Sequence, residues 1–257
     1  VGGAIQDKRL LDQISRVTLQ PSGKVEGLST LFGCLSATHG SMLFSDTDKT
    51  LVVKNAARAI TFASAGVFRP PTIQASNRRT LFGPMEFVCI GKNNTAFCAA
   101  ASRMSDTTGG AAAGVASSDI VTAPWTITGA GLGTDFETVD GVTVEAIPTW
   151  EPVQTDSNGV INYALTSVEF RATFAPIIAV ADFLAALNIH FTRGASLNSL
   201  GADLTLTNGE IDITLADAAI LDPQLALAVN ANPIRQVVAV ATRTSSATTL
   251  GTVAVST

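Results

Sequence analysis

Residues 60–70 read ITFASAGVFRP, and residues 213–223 read ITLADAAILDP. Set in register, Ile, Thr, both Ala and the final Pro are identical, and Phe62/Leu215, Gly66/Ala219, Val67/Ile220 and Phe68/Leu221 are alike in kind. The offset is constant at 153 residues, and it persists upstream, where Leu51-Val52-Val53-Lys54-Asn55 falls on Leu204-Thr205-Leu206-Thr207-Asn208. Further back, Arg16-Val17-Thr18-Leu19 falls on Ser167-Val168-Glu169-Phe170 at an offset of 151, so short gaps are needed. Two copies of about 90 residues point to duplicated domains, since solenoids stack three or more shorter units.

Bulk composition narrows the class. The chain has 257 residues, enough for one or two domains, each with its own core. Charged residues are 14% of it, against roughly 25% in an average soluble chain. Hydrophobic residues reach 46%, and mean hydropathy is positive. A surface so poor in charge suits a subunit that gives much of it to neighbours in an obligate assembly; a secreted or cell-surface β protein is the alternative. The net charge of −5 disfavours a protein that grips nucleic-acid phosphates through a basic stripe. The richest apolar run, Phe174 to Leu187, contains Pro176 and Asp182 and is too short to span a bilayer, so no membrane association is expected. The opening Val1-Gly2-Gly3-Ala4 soon meets Asp7, Lys8 and Arg9, so no secretory leader is expected in it. Cys34, Cys89 and Cys98 are odd in number and match no metal spacing, so they read as reduced core thiols made in a cytoplasm.

Along the chain, residues 1–12 read as an arm. Ile14–Leu19 alternates as a strand, with Val17 and Leu19 on one face and Arg16 and Thr18 on the other. Val25, Leu28, Leu31, Phe32 and Leu35 recur at helical spacing, weakened by Gly33. Strands follow at Thr50–Val53, Ala59–Ala63, around Ile73 and Ala75, and at Met85–Ile90. The stretch 102–124 is nearly all Ser, Thr, Gly and Ala at its start, a linker or surface loop. Phe136–Val139, Asp140-Gly141 and Val142–Ile147 then read as a hairpin.

The second unit opens at Asn158-Gly159 with an extended run to Ala175 that would span about 53 Å. Val168, Phe170, Ala172 and Phe174 share one face, and Ser167, Glu169, Arg171 and Thr173 share the other. Ile161, Tyr163 and Leu165 have the opposite parity, which predicts a bulge near Thr166 or Ser167. Pro176 is expected to start a helix through Leu187. Leu204–Leu206 and Ile211–Ile213 flank Asn208-Gly209 as a hairpin, and Leu225–Val229 and Val237–Thr242 finish the sheet. The expected fold class is α+β, mainly β: two tandem antiparallel β-sandwich or partial-barrel units, each with a short packed helix. Their bounds are 1–101 and 125–257, joined by 102–124.

No constellation for catalysis stands out. His39 and His190 fall near equivalent points of the two units and read as structural. Gly194-Ala195-Ser196-Leu197-Asn198 lacks the closing Gly of a nucleophile elbow. Gly129-Ala130-Gly131-Leu132-Gly133 lacks the dinucleotide spacing. Asp46-Thr47-Asp48 lacks the remaining ligands of a calcium loop, and Asn93-Asn94-Thr95 is a glycosylation sequon that chance supplies. Neither an enzymatic activity, a metal nor a cofactor is expected.

A long strand with one polar face, a short helix behind it and a sheet closing over the helix resemble the tail-tube proteins of long-tailed bacteriophages. Gly159–Ala175, Ile177–Leu187, the hairpin through Asn208-Gly209 and Ile234–Thr242 carry the resemblance, and Ile14 to Ile90 repeats the series. It covers about two-thirds of the chain and is a match of pattern, without a diagnostic motif. It implies self-association into rings stacked as a tube in the virion tail, assembled in the host cytoplasm. Other tail proteins would cap the tube's ends, and DNA would pass through it. Two domains per chain imply rings of three chains. The lumen-facing residues would be Ser167, Glu169, Arg171 and Thr173 in one unit, and Arg16 and Thr18 in the other. Arginine holds phosphate, so Arg16 and Arg171 either pair with nearby acids or face elsewhere. The alternatives are a tail-tip or capsid decoration protein and a secreted carbohydrate-binding or adhesive β-sandwich module. The module would expose aromatics, yet there are two Trp and one Tyr.

Overall fold

The computed structural model describes residues 14–44, 49–54, 59–62, 64–76, 79–90, 125–129, 136–155, 159–177, 202–225, 234–242 and 249–255. The expected arm Val1–Leu11, the tract 102–124, the helix beyond Ile177, Cys98 and His190 lie outside them. In chain order the elements are β1 (Ile14–Leu19), α1 (Leu28–Leu31), β2 (Leu51–Lys54), β3 (Ala59–Phe62), β4 (Ala65–Arg69), β5 (Ile73–Ser76), β6 (Arg79–Phe82) and β7 (Met85–Ile90). Then come β8 (Thr126–Gly129), β9 (Phe136–Thr155), β10 (Gly159–Ile177), β11 (Leu204–Thr207), β12 (Ile211–Leu215), β13 (Ala219–Leu225), β14 (Ile234–Val240) and β15 (Gly251–Val255). The protein is mainly β, and every registered strand pair is antiparallel.

A three-stranded sheet has the order β1-β7-β4, and β2 pairs with β3 as a separate hairpin. The larger sheet runs β13-β14-β10-β9-β8-β11-β12-β15, with β5 and β6 attached through β5 to β9. The two halves of the chain repeat each other in register. Leu51 faces Phe62 and Val53 faces Ile60 across β2 and β3; Leu204 faces Leu215 and Leu206 faces Ile213 across β11 and β12. Both strands of that hairpin are displaced by the same 153 residues that relate the sequence copies. Likewise Arg16–Val88–Gly66 runs across β1-β7-β4, and Arg171–Val240–Ala219 runs across β10-β14-β13. Arg16 therefore corresponds to Arg171 at an offset of 155, and not to Ser167 at 151. An even slip leaves each side chain on its face, so alternation alone does not distinguish the two offsets.

β9 and β10 have 20 and 19 residues and pair along nearly their whole length. The register shifts between Leu165 and Ser167, where the change of parity predicts a bulge. The expected hairpin at Asp140-Gly141 is absent, because β9 runs straight through it. Thr138 pairs with Pro176 and Val142 with Phe174, so residues 139–141 stand opposite Ala175 alone. Gly141 takes up this bulge at φ 85°, and a methyl group there would run into the Ala75 carbonyl of β5. Pro176 and Ile177 are likewise strand rather than the start of a helix. Phe170, Ala172, Phe174 and Pro176 are buried in alternation, and this burial overrides the proline's preference for a helical first turn. The β14 register ends at Phe174, so the missing proline N–H interrupts no rung there.

The expected first helix shrinks to α1, one turn entered through Gly27 at φ 68°. At Gly33 the chain tightens into a 3-10 turn, Gly33–Leu35. Val25, Leu28, Phe32 and Leu35 are nonetheless buried, as their spacing requires. At the Asn208-Gly209 hairpin, the Asn208 side-chain oxygen accepts from the backbone N–H of Glu210 (3.0 Å) and Ile211 (2.8 Å), and Gly209 supplies φ 79°. The strands β4, β6, β8, β13 and β15 were not anticipated as such from the sequence.

One apolar cluster joins both halves: Leu28, Phe32, Leu35, Ile73, Phe82 and Phe87 pack with Ile127, Val144, Phe170, Leu206, Ile213, Val237 and Val253. Each such side chain contributes about 1.5–3 kcal/mol on burial. Cys34 and Cys89 are both buried, and burial pushes the Cys89 thiol up to about 11 from 9.0. In the unfolded chain this thiol ionises near its ordinary value, while in the folded chain it stays protonated. Folding stability should therefore fall as pH rises from about 9 to 11, by on the order of 2 kcal/mol, in denaturant titrations of wild type against Cys89→Ala. Gly141→Ala should cost at least about 2 kcal/mol. Gly33→Ala, at a position with open space around it and ordinary φ, should be near neutral in the same assay.

Candidate functional site

Alternation on β10 places Ser167, Glu169, Arg171 and Thr173 on the face opposite the buried Phe170, Ala172 and Phe174. Ser167 and Glu169 are exposed, and Arg171 and Thr173 are half-buried. Across β9 they stand opposite Thr149, Ile147, Glu145 and Thr143 respectively. On the other side Arg171 faces Val240 and Thr173 faces Val238 of β14. The surface is thus a band of hydroxyls and charges bordered by valines.

Arg171 is held by two acids. Its Nε and Nη2 donate to one oxygen of Glu145, at 2.9 and 2.7 Å, and its Nη1 donates to Glu169 at 3.4 Å. The hydrogen bond to Glu145 is the main reason that the guanidinium pKa is raised above its ordinary value. The two carboxylates exceed the one cation, so this stretch has an excess of negative charge.

Arg16 and Thr18 are exposed on β1, in the three-stranded sheet, and no register among the described residues joins β1 to β10. Arg16 is paired too: its Nη1 donates to Glu86 of β7 at 2.5 Å. Its guanidinium also lies over the Phe68 ring, 4.7 Å from the centroid. This face is more covered than its counterpart. Val88 and Ile90 lie under Phe44 and Tyr163, and Phe68 packs on Trp150 (6.3 Å) and edge-on to Tyr163 (5.5 Å). Both arginines therefore have acids beside them, the first of the two outcomes that the sequence leaves open.

Trp150 and Tyr163 belong to the far half of the β9–β10 pair, which reaches past its own sheet onto the first half of the chain. The indole of Trp150 donates to the Phe68 carbonyl at 2.9 Å. Residues 40–44 lie along β10, where Gly40 N donates to Leu165 O, Leu165 N to Ser41 O, and Leu43 N to Tyr163 O. Asn162 completes the row with its side chain, accepting from Phe44 N (3.1 Å) and donating to Phe44 O (3.0 Å). In the other direction β5 lies on β9, with Ile73 opposite Val144 and Gln74 opposite Thr143.

Glu86, Glu145, Trp150 and Asn162 were not singled out from the sequence. Glu145 had only a partial signal. With β9 read as one strand, a two-residue turn at Asn158-Gly159 and a single bulge near Thr166 would set position 147 opposite 171; the observed pair needs Gly159 opposite Thr155 and a second register shift between Val160 and Asn162. Glu86 and Trp150 had none, because their partners lie in strands far away in sequence.

Among the described residues no group of three or more His, Cys, Asp or Glu is placed to hold a metal ion. No helix among them is long and apolar enough to cross a membrane. His39 is exposed, in the turn before Met42. No protein-family model matches the chain, and no curated protein matches it in sequence.

Half-exposed ion pairs of this kind add little to stability. Glu145→Gln should change the unfolding free energy by less than about 1 kcal/mol. Trp150→Ala, which empties the aromatic contact between the halves, should cost about 3–5 kcal/mol in the same denaturant titration.

Proposed function

We propose that the chain is a structural subunit of a bacteriophage tail tube, two similar β units per chain, with three chains closing a ring and rings stacking into a channel for DNA. The observation that carries this reading is the repeated register: β1-β7-β4 with the β2–β3 hairpin matches β10-β14-β13 with the β11–β12 hairpin in strand order and through the rungs Arg16–Val88–Gly66 and Arg171–Val240–Ala219, up to a bulge after Val67 that the second copy lacks at that point. The contact between the two copies would be head-to-tail. The first unit lends β5 and residues 40–44, and the second receives them on β9 and β10. A heterologous contact between two like units leaves one unsatisfied half at each end, and rings close by repeating it. Long strands are then at ease, since a shared closed sheet has no open edge.

Composition supports the same reading, with 14% charged residues in a chain whose surface would be largely consumed by neighbours. The polar face bearing Arg171 would line the channel, with the exposed Arg16 and Thr18 reaching it from the unroofed part of their own face and both arginines already engaged by carboxylates. The role would be structural, with no cofactor, and the place of action the virion tail.

Negative-stain electron microscopy of the concentrated protein should show rings or tubes with a central channel, three chains to the ring. Monodisperse monomers at high concentration would sink the proposal and favour a self-contained binding module. Rings of six chains would leave one unit of each on the outside and break the link to the internal repeat.

A further inference from the structure

Arg16 and Arg171 hold the same register position in the two copies of the sheet, yet their acids arrive from different sides. Glu86 of β7 meets Arg16. The corresponding place on β14 holds Val238, opposite Thr173 as Glu86 is opposite Thr18. Valine accepts no hydrogen bond, and Arg171 takes its acids from β9 and from its own strand instead, as Glu145 and Glu169. The two copies thus share a paired arginine, reached by two different arrangements of carboxylates.

The pairing needs a reason other than stability, because ion pairs at this exposure contribute little to it. A bare guanidinium is a rigid fork of N–H donors that matches phosphate. Glu145 takes Nε–H and one Nη2–H of Arg171 and Glu169 takes one Nη1–H, three of its five donors, including the Nε/Nη2 edge that would grip a phosphate; Glu86 takes one Nη1–H of Arg16 and offsets its charge.

We propose that Glu86, Glu145 and Glu169 mask Arg16 and Arg171 from nucleic-acid phosphate, so that the polar face lets a polyanion pass without holding it. This rests on the tail-tube reading, and it assigns the non-adhesive character of the face to three named carboxylates. Each masked arginine keeps the cross-strand order of its sheet and adds no grip.

The test is a fluorescence-anisotropy titration of a short labelled DNA duplex with wild type, with E86Q/E145Q/E169Q, and with the same triple variant carrying R16Q/R171Q. Wild type should show no saturable binding at moderate salt. The triple variant should bind, with an affinity that falls roughly tenfold between 50 and 200 mM salt, as expected for two phosphate contacts. Removing both arginines should abolish the gain. A gain that survives without them comes from net charge alone and overturns the masking, as does the absence of any gain in a variant that melts like wild type. If the triple variant does not fold, E86Q against E86Q/R16Q makes the same comparison at one arginine, and no difference between those two overturns it. Microscopy of wild type is scored separately. Rings without a DNA gain in the variant would remove the masking and leave the tube; an arginine-dependent gain without rings would remove the tube and leave the masking as a property of the face.

Discussion

Every backbone N–H and C=O of a strand needs a partner, and β9 and β10 present that demand over 20 and 19 residues. They satisfy each other on one edge. The outer edges are met in instalments: β14 takes residues 171–174 of β10, and residues 40–44 take the stretch around Tyr163. β8 takes the start of β9, and β5 takes Thr143 and Val144. Beyond Val144 the β9 edge carries Pro148 and Pro152, which offer no N–H to a further strand. Two of these partners come from the first half of the chain, so the long hairpin binds the halves together.

Packing follows from that demand. Residues 40–44 can lie beside β10 only where the strand outruns β14, and there the Asn162 side chain stands in for a backbone rung. Next to it the aromatic trio of Phe68, Trp150 and Tyr163 fills the gap between the hairpin and the three-stranded sheet. The Arg16 face is therefore partly roofed, whereas the Arg171 face keeps hydroxyls and charges at its surface. The same strand order serves two surroundings, and the difference lies in what the long hairpin covers.

Much of this is legible in local pattern. The strand Ile14–Leu19, the hairpin at Asn208-Gly209, the bulge at Thr166 and the polar face of β10 all follow from alternation and turn chemistry within a few residues. Asp140-Gly141 and Pro176 misled for one reason. Each residue pair or residue has a strong local preference, for a hairpin turn and for a helix start, and each is overridden by neighbours distant in sequence. At Gly141 the neighbour is the Ala75 carbonyl; at Pro176 it is the core beneath Phe174. β4 and β13 were hidden because their alternation is blurred: both faces of a strand between covered layers carry apolar residues.

The sequence by itself determined that the chain is mainly β, that one segment occurs twice, and that Arg171 shares a face with Ser167, Glu169 and Thr173. These depend on side-chain period and on residues near in the chain. Only the tertiary structure decided that Arg16 matches Arg171, that Glu86 and Glu145 stand beside them, and that one core runs through both halves. An even slip in register changes no face, and a partner strand far away in sequence leaves no mark in local pattern, so those choices are made by packing alone.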